Sequence, residues 1–205
     1  MLVWNFPGAG PQQLPGQLFV AAQNTAAAYT AGTGMPVNYT GMVLYNPPTV
    51  AGQPSVRLVP IRVSFVPEGT STSGSLVSWG IIKSNGTCTP GLSAFNGYVS
   101  AAGYPGVGTW AAGFIPKAVG QVGGTATWLN GTAATYGPNA VNYVEHLGVA
   151  AFGTGITAQS APPTIIDLHG EISLAPGEAM AISPWVACVA VGSIAWVEIS
   201  NQSGQ

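Results

Sequence analysis

Nineteen consecutive residues without a charged side chain, Ala179 to Val197 in "EAMAISPWVACVAVGSIAWVE", lie between Glu178 and Glu198. In helical form that length reaches across a bilayer, so a membrane span is the first structure to weigh. The flanks argue against it, because both are glutamates and no Lys or Arg stands near either end. Pro184 interrupts the run, and Gly192-Ser193 is a dipeptide suited to a type II′ hairpin turn. Val186, Val189, Val191, Ile194 and Val197 are β-branched and favour strands. The run therefore predicts two strands, 185–191 and 194–199, joined by a tight turn, and no membrane span.

Elsewhere the chain also reads as β. In "VRLVPIRVSFVPEG" the alternation puts Val59, Ile61, Val63 and Phe65 on one face and Leu58, Pro60, Arg62, Ser64 and Val66 on the other. "SLVSWGIIK" repeats the pattern with Val77, Trp79 and Ile81 facing inward, and Asn85-Gly86 reads as the hairpin turn that ends it. Turn signals recur at Pro7-Gly8, Pro15-Gly16, Pro90-Gly91, Asn96-Gly97, Pro105-Gly106, Asn130-Gly131 and Pro176-Gly177. The helix candidates, Ala26 to Tyr29 and Val141 to Leu147, are short and lack a cap with an amphipathic face. Many short strands separated by Gly and Pro point to an all-β sandwich or jelly roll. A length of 205 residues suits one such domain, 1–205, with no linker or internal repeat. Residues 84–163, rich in Gly, Ala and Thr, read as elaborated loops with a few strands, or as a small projection.

Charge narrows the function classes. Asp, Glu, Lys and Arg make up 5% of the chain, against roughly 25% in an ordinary soluble domain. Residues 1–56, 84–116, 118–144 and 146–166 contain none. A net charge of -2 gives little repulsion between copies, so self-association is tolerated or intended. Nucleic acid as a partner is disfavoured, because counterion release needs clustered cations and the chain offers Arg57, Arg62, Lys83 and Lys117 in total. The N-terminus "MLVWNFPGAGPQQLPG" lacks a positive region and its apolar residues are broken by Pro7, Gly8, Gly10 and Pro11, so no signal peptide is expected. Asn38, Asn85, Asn130 and Asn201 begin Asn-x-Ser/Thr triplets, which read as turn residues rather than glycan sites. Cys88 and Cys188 can pair or stay free, and small buried hydrophobes are the ordinary form of two such thiols.

Catalytic constellations are thin. His146 follows Glu145, and His169 follows Asp167 by two positions, where a shared strand face would make a structural or exposed pair. No H-x-H, H-E-x-x-H or C-x-x-C spacing appears, nor a Gly-x-Ser-x-Gly elbow, and "GQVGG" at 120–124 reads as a loop without the lysine of a phosphate site. No catalytic, cofactor-binding or metal-binding residue is expected, and no cofactor. Six tryptophans and seven tyrosines read mostly as core. Were some exposed, they would stack on sugar rings, which keeps a carbohydrate-binding β-sandwich, for receptor or glycan recognition, as the alternative.

"GEISLAPGEAMAIS" followed by "VGSIAWVEI" resembles the end of the single jelly-roll proteins of virus and bacteriophage shells, where a strand, a Pro-Gly turn, a second strand and a closing strand complete the barrel. The resemblance covers about 40 residues and carries no functional residues with it. It implies a single jelly-roll sandwich with elaborated Gly/Ala-rich loops, located in the virion as a capsid subunit or a decoration (cement) protein. Its partners would be itself, with a homotrimer favoured, and the major capsid protein or other shell subunits. The missing basic arm suggests an outer or cementing role, with residues 1–16 an extended N-terminal arm ordering on a neighbour. Uncharged surfaces suit such contacts, since they meet without desolvating ions, and a strand apolar on both faces, as expected for 185–191, would meet the core on one side and a neighbouring subunit or sheet on the other.

Overall fold

The computed structural model of the chain describes residues 18–30, 38–49, 55–70, 76–92, 95–96, 118–128, 142–151, 164–184 and 187–200. Among them the protein is all-β, without a helix, in eleven strands. The first sheet takes the order β6 (Phe95–Asn96), β1 (Leu18–Ala22), β11 (Cys188–Ser200), β4 (Val56–Thr70), β9 (Thr164–Asp167), with β2 (Ala27–Tyr29) also paired to β11. The second runs β10 (Glu178–Pro184), β3 (Asn38–Tyr45), β7 (Gln121–Trp128), β5 (Leu76–Leu92), β8 (Asn142–Ala151). Because β10 also pairs with β5, four strands of this second sheet, β10, β3, β7 and β5, close into a ring.

The apolar run from Ala179 to Val197 is divided differently from expectation. β10 and β11 do not meet at Gly192-Ser193; β11 passes straight through that dipeptide, with Gly192 opposite Phe65 and Ser193 opposite Ser64. Glycine is needed there for space, since a Cβ on Gly192 would collide with the Tyr29 hydroxyl. Asn85-Gly86 likewise lies inside β5 rather than at a turn. A Cβ on Gly86 would sit 2.9 Å from the Thr127 carbonyl oxygen and from Trp128 Cε3. Pro176-Gly177 is the turn expected, with Gly177 at φ 86 and the Glu178 amide donating to the Ala175 carbonyl at 3.0 Å.

Other expectations are corrected by pairing partners far away in sequence. Residues 27–29 form β2 against Cys188 to Ala190, and 142–151 form β8 against the first half of β5, so neither helix candidate is helical. "GQVGG" leads into β7 rather than making a loop. In β4 the alternation slips at Ile61: Arg62 faces Ala195, but the next ladder pair is Pro60 with Trp196. This bulge turns Leu58 into the core together with Val63 and Phe65, and leaves Ile61 half-buried, so the face expected from strict alternation holds only for its C-terminal half.

Two clusters form the interior. The larger lies between the sheets, where Phe19, Tyr29, Phe65, Trp79, Ile81 and Trp196 are among the buried residues. Phe65 sits 5.1 Å from Trp79 and 5.3 Å from Tyr29 between ring centroids, spacings at which aromatic pairs attract. Trp79 and Ile81 face inward as the sequence implies; the side chain of Val77 lies outside the described residues. The smaller cluster joins Tyr39, Val43, Tyr45, Ile82, Ala126, Trp128, Ala179 and Ala181, drawn from all four strands of the ring. Its alanines leave room for Tyr39 and Trp128, whose rings lie 6.3 Å apart. β10 thus buries Met180 and Ile182 between the sheets and Ala179 and Ala181 in the ring. The strand buried on both faces among the described residues is β10, and its second face is covered by this same chain; of the strand expected at 185–191, Trp185 and Val186 lie outside the described residues, while on β11 Cys188 and Ala190 point inward and Val189 is 42% exposed.

Candidate functional site

Asp167, singled out in the sequence beside His169, is paired instead with a residue far away in the chain. β4 and β9 place Arg62 opposite Asp167, and Arg62 Nε donates to Asp167 Oδ1 at 2.7 Å on the protein surface. The hydrogen bond from Arg62 holds the Asp167 carboxyl below its usual range, with a further contribution from His169, and the same contact raises the Arg62 guanidinium. His169 does not share a strand face with Asp167: β9 ends at Asp167, and His169 sits exposed in the following turn at φ 50. His146 lies opposite Gly80 and Glu145 opposite Ile81 in β8, in the other sheet, and their side chains fall outside the described residues. Among the described residues no group of three or more His, Cys, Asp or Glu side chains is placed to hold a metal ion.

Both cysteines are free. Cys88 belongs to β5 and Cys188 to β11, in different sheets. Burial pushes the Cys88 thiol up to about 11 and the Cys188 thiol up to about 12, the reverse of what a nucleophilic thiolate requires.

A buried carboxylate that the sequence reading treated only as a boundary organises one end of the molecule. Glu198 accepts hydrogen bonds from the Val119 amide at 2.9 and 3.0 Å, the Gly120 amide at 2.9 Å and Trp196 Nε1 at 3.1 Å. These contacts tie the segment entering β7 to β11, and so join the second sheet to the first. Gly120 fits there because a Cβ would lie 2.9 Å from both Leu58 Cδ1 and Trp196 Nε1. The signal was present in the period-two pattern, since Ile194, Trp196 and Glu198 share the inward face. Glu178, at the other end of the apolar run, accepts from the Ala175 amide at 2.6 Å and pairs with Lys83 at 3.0 Å.

Aromatic side chains do not form a sugar platform among the described residues. Trp79, Trp128 and Trp196 are buried, as are Tyr29, Tyr39 and Tyr45; Trp4, Trp110 and Trp185 lie outside the described residues. Tyr29 donates to Gln23 Oε1 at 2.6 Å and burial raises its phenol; Tyr39 donates to the Ile182 carbonyl. No described helix is long and apolar enough to cross a membrane.

What the described residues do present is a sheet face. The outward side of the six-stranded sheet carries Val20, Val66, Val191 and Val197, half-buried, with Ile165 59% exposed. Comparison with protein-family models, with characterised proteins and with solved structures finds no match to this chain.

Proposed function

We propose that this chain is a single jelly-roll virion structural protein, a capsid subunit or a decoration protein that assembles with copies of itself and with neighbouring shell subunits. The observation that carries the reading is the nesting of its strand pairs. β1 pairs with β11, β3 with β10, β4 with β9 and β5 with β8, outermost with outermost and innermost with innermost. The bridging pairs β11–β4 and β10–β5 then give the orders β1-β11-β4-β9 and β3-β10-β5-β8. An eight-stranded ribbon rolled into two sheets, two Greek keys in succession, has this connectivity. β2, β6 and β7 are additional to it; β7 lies between β5 and β8 in the chain and closes the ring.

The surface supports the same reading. With 5% charged residues the protein can be covered by close neighbours at little desolvation penalty. The scarcity of cations favours an outer or cementing role over direct genome contact. A closed ring about a symmetry axis, with a trimer favoured, would leave no interface unsatisfied. No catalysis is expected, and His146→Ala and His169→Ala should leave function intact. Sedimentation combined with glycan titration tests the proposal: a protein that associates with itself or binds particles supports it, and a monomer whose tryptophan fluorescence responds to sugar replaces it with a carbohydrate-binding module.

A further inference from the structure

We infer that β7 is a jointed strap: its C-terminal half, Thr125 to Trp128, opens out of the ring about Gly124 while its N-terminal half stays latched to the first sheet. The two halves pack into different interiors. Val122 belongs to the larger cluster between the sheets, whereas Ala126 and Trp128 belong to the ring. Between them, both ladders of β7 break at the same residue. On the β3 side Thr125 faces Thr40 and Gly123 faces Val43, so two residues of β3 stand against Gly124; on the β5 side Thr125 faces Thr89 and Gly123 faces Pro90, so none does. Gly124 is thus the one residue of β7 with a pair in neither ladder, and Pro90, opposite Gly123, has no N–H to donate. Space does not demand a glycine at this point. A Cβ on Gly124 would meet nothing within 4 Å, in contrast to Gly86, Gly120 and Gly192.

What holds each half differs as well. The N-terminal half is entered through Val119 and Gly120, whose amides donate to the Glu198 carboxylate on β11. The C-terminal half closes over a buried donor with no acceptor, Trp128 Nε1. An unpaired buried N–H is destabilising, and release of the indole into water relieves that penalty, which offsets part of what the ring gains by burial. Thr125 and Thr127 are already exposed, so Ala126 and Trp128 are the side chains of this half that opening uncovers. Segments with interrupted ladders and few buried contacts are the ones that open below the global unfolding free energy. Opening bares the facing edges of β3 and β5 and the ring interior at Tyr39, Ala179 and Ala181.

Native-state hydrogen exchange on the full chain, read residue by residue, tests the joint. Protection should fall about tenfold or more from Val122 to the amides of Ala126 to Trp128. Glu198→Gln should raise exchange at Val119 and Gly120 about tenfold while leaving Ala126 to Trp128 within about twofold of the wild type, because the joint uncouples the halves. Gly124→Ala, whose methyl group fits without a clash and stiffens the joint, should slow exchange at Ala126 to Trp128 about two- to fivefold. Far-UV circular dichroism checks that both variants keep the fold. Equal protection in the two halves, or a Glu198→Gln effect that spreads along all of β7, would show one rigid strand and overturn the inference. So would exchange at Ala126 to Trp128 that Gly124→Ala leaves unchanged. Neither result bears on the shell reading.

Discussion

Ala181 and Ala195 occupy the same kind of position, an alanine on the side of a long strand that points away from the larger core, yet one is sealed and the other is not. Ala181 on β10 is fully buried with Tyr39 and Trp128 inside the ring, whereas Ala195 on β11 is half-buried beside Arg62. The difference comes from β7. By pairing with both β3 and β5 it lets the second sheet curl onto itself, so that apolar residues on its second face find partners inside the chain. Among the described residues the first sheet has no such closing strand, and Val20, Val66, Val191 and Val197 on its second face are only half-buried. Apolar residues on both sides of a strand therefore do not by themselves imply a neighbouring subunit.

Adjacent substitutions on β11 should break this comparison most visibly. Ala190→Asp places a carboxylate in the sealed core, and should cost several kcal/mol and prevent folding. Val189→Asp, one residue away on the open side, should change stability by about 0.5 kcal/mol or less. Chemical denaturation of both variants checks this, and similar losses at the two positions would mean that the outward face is covered within the chain.

Removing the Glu198 carboxylate comes next. Glu198→Ala leaves the part-buried Val119 amide and the buried Gly120 amide and Trp196 indole N–H without their acceptor, the two buried donors being worth about 1–3 kcal/mol each when orphaned. Glu198→Gln keeps one acceptor oxygen and should lose less. Hydrogen exchange at Val119 and Gly120 should accelerate in both, and unchanged exchange would mean that the carboxylate does not hold the two sheets together.

Enlarging the alanines sharpens the contrast on a smaller scale. Ala181→Leu should overpack the ring and cost about 1–3 kcal/mol, while Ala195→Leu on the open face should be close to neutral in thermal unfolding.

These side chains also show what the sequence made legible. The all-β class followed from β-branched alternation and turn residues, and Pro176-Gly177 was placed correctly because a positive-φ turn is a local property. Gly192 and Gly86 were misread because their reason is not local. Each makes way for an aromatic residue distant in the chain, Tyr29 and Trp128, so a glycine that resembles a turn signal lies in the middle of a strand. The continuous inward parity of Ala190, Ile194, Trp196 and Glu198 was the signal for one strand. The bulge at Ile61 and the closing role of β7 depend on cross-strand register, which alternation along a single segment does not encode. The surface pair was half legible: Asp167 was visible as a candidate partner, but its partner is Arg62, 105 positions away, rather than the nearby His169.

The smallest effects should lie at the titrating groups. The Asp167 carboxyl is held below its usual range by Arg62, so the pair contributes above the carboxyl's unfolded value and the contribution fades as pH falls through the lowered folded value. Asp167→Asn should abolish only that acid-side dependence in a stability profile. The thiols run the other way. Cys88 at about 11 and Cys188 at about 12 favour the protonated form in the folded state, so that stabilisation is present below the unfolded value and lost as pH rises through the folded ones. Both should react slowly with a thiol reagent at neutral pH until the protein unfolds.

Mass in solution, measured by sedimentation equilibrium on the full chain across a wide concentration range and in the presence of shell particles, tests the central claim most directly. The account predicts a protein that associates with itself or binds those particles. A wild type that remains monomeric at the highest concentration and binds no particle would contradict it.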